Sequence, residues 1–175
     1  MFKYFVKSQD CQADMTTFII DDHTHTQCLY YVPLVFSSTE TVNHVAFKAH
    51  LSQAVISPGE NQRIVYDDVQ LNLGGGYHAH LGGFVAPING TYLFSVAVCS
   101  IGNHYIVLDL VKNDVMISRV LAGDTVYNDC SSETTISELT AGDEVFVQHH
   151  STVGDLIHVN ENILNSFTGA LLQTI

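Results

Sequence analysis

Ten histidines, and eighteen acidic residues against six basic ones, are the side chains with the most evident chemistry in this 175-residue chain. Several histidines are paired: His23 with His25, His78 with His80, and His149 beside His150. In an extended chain the i, i+2 spacing puts both imidazoles on one side. Neutral imidazole is a good ligand for zinc, copper and nickel. Each pair taken alone reads first as exposed polar residues. As a set they are candidates for weak Zn2+ or Cu2+ affinity. The formal charge of −12 attracts divalent cations, and Asp21-Asp22 stands directly before His23. The same charge repels phosphate backbones and anionic lipid, which argues against nucleic acid as a partner. No apolar run nears the length of a membrane span, which argues against membrane insertion.

The four cysteines, Cys11, Cys28, Cys99 and Cys130, form no Cys-x-x-Cys pair, so finger-type structural zinc is disfavoured. In an extracellular setting disulfides are the default. The sequence-local pairing is Cys11 with Cys28 and Cys99 with Cys130. The other two pairings, and buried free thiols, stay open. Asn89-Gly90-Thr91 is a glycosylation sequon, and it is also turn chemistry. Catalysis finds no support. There is no Gly-x-Ser-x-Gly elbow and no His-Glu-x-x-His, and Gly74-Gly75-Gly76 precedes a strand-like stretch rather than a helix. We therefore expect a non-enzymatic protein.

The elements that must carry these residues read as strands. Tyr92, Phe94, Val96 and Val98 alternate with Leu93, Ser95, Ala97 and Cys99, a period of two that puts the large residues on one face. Further runs lie at Ile106–Val111, Val115–Ile117, Val145–Val147 and Leu156-Ile157. Turn punctuation separates them, including Ala122-Gly123-Asp124 and Ala141-Gly142-Asp143. Many short strands with frequent turns argue for an all-β sandwich or jelly roll. The length fits one domain with a full core. Residues 1–43 are a separate extension, apolar enough to pack on something, and Met1–Ser8 has no apolar core of signal-peptide length.

One stretch is more specific. Asn72 is followed five residues later by Tyr77, Tyr77 seven later by Phe84, and Phe84 six later by Gly90-x-Tyr92-x-Phe94. This spacing resembles the signature of the globular C1q domain, the recognition head of complement component 1q. Tyr66 stands where that family usually has Phe, and Val96 where it usually has a second aromatic. The resemblance continues outside the signature. Val45-Ala-Phe47-Lys-Ala-His50 is similar to the family's opening strand, Leu139–Gln148 to its turn and long late strand, and Ser166–Leu172 to its closing strand. It runs from about residue 44 to residue 175, with no collagen-like repeat ahead of it.

The resemblance implies a two-sheet antiparallel jelly roll at 44–175, shared with the tumour necrosis factor ligands, that assembles as a homotrimer. Tyr77, Phe84 and Phe94 are then core plugs, and Tyr92, Tyr105 and Val107 are candidates for the face shared between copies. It also implies secretion and the binding of carbohydrate or pathogen-surface ligands in innate immunity, as in soluble invertebrate lectins of this kind. Family members often bind Ca2+ through loop carboxylates. Asp129 matches such a ligand position best, and Asp124 less well. A different reading is similarity to the acidic metal- and calcium-binding proteins of molluscan extrapallial fluid and haemolymph, which carry ions or control mineral. A ligand for a cell-surface receptor is a third.

Overall fold

The computed structural model describes residues 17–22, 25–30, 44–150 and 156–175, the first two stretches by their backbone alone. The chain divides into two units, Met1–Thr41 and Val42–Ile175. In the first, β1 (Thr17–Asp22) and β2 (His25–Tyr30) pair antiparallel, with Asp22 opposite His25.

The second unit is built from β3 (Ala46–His50), β4 (Val55–Ile56), β5 (Asp68–Leu73), β6 (Tyr77–His78), β7 (Gly83–Val85), β8 (Gly90–Ser100), β9 (His104–Lys112), β10 (Val115–Asp124), β11 (Asp129–Leu139), β12 (Glu144–His149), β13 (Leu156–Ile157) and β14 (Ser166–Thr174). The described residues contain no helix. One sheet has the order β10-β9-β12-β7-β6 and the other β11-β8-β14-β3-β5, with β13 and β4 as a separate short pair. All pairings are antiparallel. Strands distant in sequence, such as β14 between β3 and β8, are neighbours in the sheet. This is the two-sheet jelly roll that the strand pattern predicts.

The alternation along β8 is realised as read: Tyr92, Phe94, Val96 and Val98 are buried between the sheets, while Thr91, Leu93, Ser95 and Ala97 lie on the other side, half-buried. The core is held by aromatic rings. Phe47 stacks on Tyr77 at 4.8 Å and on Phe84 at 5.0 Å, and Phe167 meets it edge-on at 4.8 Å. Tyr77, Phe84 and Phe94 are all buried, as expected.

The spacing of the signature has a physical cause. The Asn72 amide stands in for a strand partner: its Nδ2 donates to the Tyr77 carbonyl at 2.9 Å, and its Oδ1 accepts from the Tyr77 N–H at 3.1 Å. That clamp closes a turn in which Gly74 and Gly75 both adopt positive φ, so the chain crosses from one sheet to the other. A side chain on Gly76 would strike the Phe84 ring.

Tyr66 is a local exception. Its ring is fully buried, yet its hydroxyl has no hydrogen-bond partner among the described residues. The neighbouring Tyr77 hydroxyl donates instead to the Tyr66 main-chain carbonyl, at 2.7 Å. A buried hydroxyl without a partner loses its hydration for nothing. Tyr66→Phe is therefore expected to stabilise the domain by about 1 kcal/mol, seen as a higher midpoint in thermal unfolding. A lower midpoint would mean that the hydroxyl is satisfied after all.

Candidate functional site

The registers of the β11-β8-β14-β3-β5 sheet define its outer face residue by residue. Leu73 faces Ala46, Ala46 faces Ala170, Ala170 faces Leu93, and Leu93 faces Ile136. An aliphatic row thus crosses all five strands on the side away from the core. The next row is Leu71, Lys48, Thr168, Ser95 and Thr134. Here Thr134 Oγ1 donates to Ser95 Oγ at 3.0 Å, and Thr168 Oγ1 donates to the Ser95 carbonyl at 3.3 Å. Leu71, Leu73, Ile136 and Leu172 are all exposed, Ile136 at 59%. Single exposed aliphatics are ordinary on a protein surface, but a contiguous set is the mark of an interaction face.

The other sheet is finished differently. Val107, Val111 and Phe146 are buried but lie outside the core cluster, on its outer side. The chain's own arginines help to cover this face. The Arg63 guanidinium lies 3.8 Å from the Phe146 ring centroid and pairs with Glu144 at 2.5 Å. Arg119 grips Asp109 through two hydrogen bonds, 2.6 and 3.2 Å, and His150 Nδ1 lies 2.8 Å from the same carboxylate. Burial pushes the Asp109 carboxyl up, but the hydrogen bonds from Arg119 and His150 outweigh it and hold it below the usual range. Of the residues expected on a face shared between copies, Tyr92 is fully buried between the sheets, and Tyr105 and Val107 sit on β9, in the opposite sheet from the aliphatic row. A period of two tells which residues share a side, but not which side meets the second sheet.

The carboxylates matched to calcium ligands bracket the β10–β11 turn. Asp124 Oδ1 accepts the N–H groups of Val126 and Tyr127, at 2.7 and 2.9 Å, and Asp129 Oδ2 accepts that of Gly123 at 2.8 Å. The Tyr127 and Val126 N–H groups hold the Asp124 carboxyl below its ordinary pKa. One oxygen of each carboxylate is thus occupied in shaping the turn. Val126 and Tyr127, at the tip, are both exposed apolar residues, at 67% and 75%.

Cys99 and Cys130 stand opposite each other on β8 and β11 and are joined as a disulfide. The side chains of Cys11, Cys28, His23 and His25 lie outside the described residues. His78 and His80 have ring centroids 6.2 Å apart. His149 is buried, with Nδ1 3.0 Å from the Gly59 carbonyl, whereas His150 faces Asp109 on the outer side. The structure thus separates this sequence-adjacent pair. Among the described residues, no three His, Cys, Asp or Glu side chains converge on a position for one ion. The amide of Asn89 is exposed, and its Oδ1 accepts the Ala141 N–H at 2.8 Å.

Asn165 escaped the sequence analysis, and Asp143 appeared there only as turn punctuation. Asn165 is fully buried; it accepts the Cys99 N–H at 2.6 Å and donates to the His158 carbonyl at 2.7 Å. It ties the approach to β14 onto the end of β8. Asp143 builds the Ala141-Gly142-Asp143 turn, where the Thr140 N–H, then Asn113 and Lys112, lower its carboxyl to about 2. A lone Asn or Asp in a polar run carries no signal that separates such a role from solvation.

The fold and its asymmetric pair of faces define a jelly-roll head of the kind found in C1q and tumour necrosis factor proteins. The chain is similar in structure to the globular domain of zebrafish complement 1qA protein, at a TM-score of 0.61 and 17% identity, covering 75% of this chain and 99% of that one. It is also similar to Eiger TNF from S. frugiperda, at a TM-score of 0.60 and 13% identity, covering 76% and 95%. The C1q domain family model matches residues 46–172, and the chain belongs to that family. In sequence it is 32% identical over 136 residues to "Heavy metal-binding protein HIP" of Mytilus edulis, covering 75% of this chain and 62% of that protein. It is 34% identical over 91 residues to mouse "Complement C1q tumor necrosis factor-related protein 2", covering 52% of this chain and 31% of that protein. The chain therefore spans less than two thirds of either relative.

Proposed function

We propose that this protein is a non-enzymatic recognition head that works as a homotrimer outside the cell. The observation that carries the proposal is the aliphatic row Leu73, Ala46, Ala170, Leu93 and Ile136 on one sheet, beside a second sheet already covered by its own ion pairs. A face of this kind is stable in water only when another surface covers it, and copies of the same chain are always at hand. The Cys99–Cys130 bridge suits an oxidising compartment. Three weak sites on one rigid body gain avidity against repeated targets, and surface glycans are the ligand class that best fits this arithmetic.

A second reading has an observation of its own. The mussel relative is named for heavy-metal binding. With a charge of −12 and ten histidines, this chain supports uptake of Zn2+, Cu2+ or Ca2+, with Asp124 and Asp129 at the β10–β11 turn as oxygen donors.

Sedimentation analysis tests the assembly directly. The expected mass is three times the 19.2 kDa of the chain. Leu93→Asp, which puts a charge in the middle of the aliphatic row, is expected to leave a folded monomer. A wild-type chain that is monomeric at every concentration, with and without chelator, would refute it. A glycan array beside calorimetric titration with Ca2+ and Zn2+ separates the two ligand readings: stoichiometric ion uptake without sugar binding favours the second.

A further inference from the structure

The C1q-like unit has only four basic residues, Lys48, Arg63, Lys112 and Arg119, among a large excess of carboxylates. Three are pinned within the chain: Arg63 to Glu144, Lys112 to Asp143 and Arg119 to Asp109. Lys48 has no such partner among the described residues. It is exposed, and it sits on the outer face of the β11-β8-β14-β3-β5 sheet, one row from the aliphatic stripe.

The same face carries a carboxylate in the same condition. Glu138 lies two residues beyond Ile136 on β11, is exposed, and uses only its main-chain carbonyl, which accepts from Lys112 and Ser137. Its side chain makes no ion pair among the described residues. Lys48 and Glu138 cannot meet within one chain. β11 and β3 are three strand positions apart in the sheet, roughly 14 Å. Thr134, which shares the row of Lys48, is four residues from Glu138, roughly a further 13 Å along the strand.

We infer that Lys48 of each copy pairs with Glu138 of the next, so that the assembly face carries its own key for direction and register. This rests on the trimer reading above. In a cyclic assembly the contact is heterologous: one part of the face meets a different part of the neighbour's face. A cation towards one edge of the face and a carboxylate at the opposite edge, both without an ion pair among the described residues, suit that geometry. In a two-fold contact the pair would have to form twice across a single axis; in a ring it forms once at each junction. Apolar rows alone slide, and an ion pair at the border of a dry patch fixes where they stop.

Charge-swap variants measured by sedimentation equilibrium test this, with circular dichroism confirming that each variant is folded. Lys48→Glu is expected to raise the concentration for half-assembly about 100-fold, since it sets two carboxylates against each other. Glu138→Lys is expected to raise it about as much. This second variant is the discriminating one. It lowers the net negative charge, so general repulsion between acidic heads would predict tighter assembly, not weaker. The double variant Lys48→Glu/Glu138→Lys is expected to return to within about threefold of wild type, because the pair is re-formed in reverse. If Glu138→Lys assembles as well as wild type, or the double variant is no better than the single ones, the Lys48–Glu138 pair is refuted and the trimer stands. If wild type itself never assembles, the trimer reading falls and takes the pair with it.

Discussion

Gly169→Val is expected to leave the head unfolded at room temperature, and Gly169→Ala to destabilise it by about 3 kcal/mol, the upper end of the cost of overpacking a core. Gly169 faces the interior from the middle of β14. A Cβ there would sit 2.5 Å from Phe47 Cε1, and 2.8 and 2.9 Å from two atoms of the Phe94 ring. Neither ring can retreat, because Phe47 is stacked on Tyr77 and Phe84 and meets Phe167 edge-on. A compensating gain exists but is smaller. Alanine restricts the unfolded chain and stabilises by about 0.4–1 kcal/mol where the backbone permits it. Gly169 is not in the left-handed region, so its backbone accepts alanine and the steric term alone opposes the change. Urea unfolding followed by circular dichroism measures the difference. A loss under 1 kcal/mol would show that the rings yield easily. Phe47→Leu in the same chain should recover part of the loss, since it removes the ring that Gly169 makes room for.

Phe47→Ala is expected to cost about 5 kcal/mol, the top of the range for removing a buried phenyl ring. Phe47 is 2% exposed and touches four other rings, at centroid distances from 4.8 to 6.4 Å. Aromatic pairs of this kind add about 0.5–1.5 kcal/mol each beyond the area they bury. The cavity left behind closes poorly, because its walls belong to two hydrogen-bonded sheets whose spacing is set elsewhere. Against a total stability of about 5–15 kcal/mol, such a loss removes a third of the folding free energy or more. Equilibrium unfolding measures it directly, with Phe47→Leu as the control that keeps most of the volume. A cost below 2 kcal/mol would mean that the five-ring cluster is not the keystone of this core.

Both positions bear on assembly as well as stability. β3 and β14 turn Phe47 and Gly169 inward, and the intervening residues Ala46, Lys48, Thr168 and Ala170 outward. The inner packing that fixes the pairing of these two strands therefore also fixes the rows of the outer face. A core variant that shifts β14 by one residue would bury Thr168 and expose Phe167, destroying core and stripe together.

Much of the molecule is legible in its sequence. The spacing from Asn72 to Phe94 identified the fold because each residue in it answers a local demand: an amide that replaces a strand partner, glycines at a left-handed turn, and rings at alternate positions of a strand. Alternation in β8 named the core side chains correctly, since a strand offers only two sides. What composition and pattern could not decide was which side of each strand becomes surface, and what that surface presents. Tyr92, Tyr105 and Val107 pass equally well as interface residues in the sequence, yet one lies between the sheets and the others lie on the opposite sheet. The aliphatic row is drawn from five strands spread between residues 46 and 170, and it exists only through their registers. Likewise, Lys48 is an ordinary lysine in the sequence. Only the tertiary structure gives the three other Lys and Arg side chains of the head a carboxylate and leaves this one without an ion pair among the described residues, because ion pairs depend on distances that the order of residues along a chain does not contain.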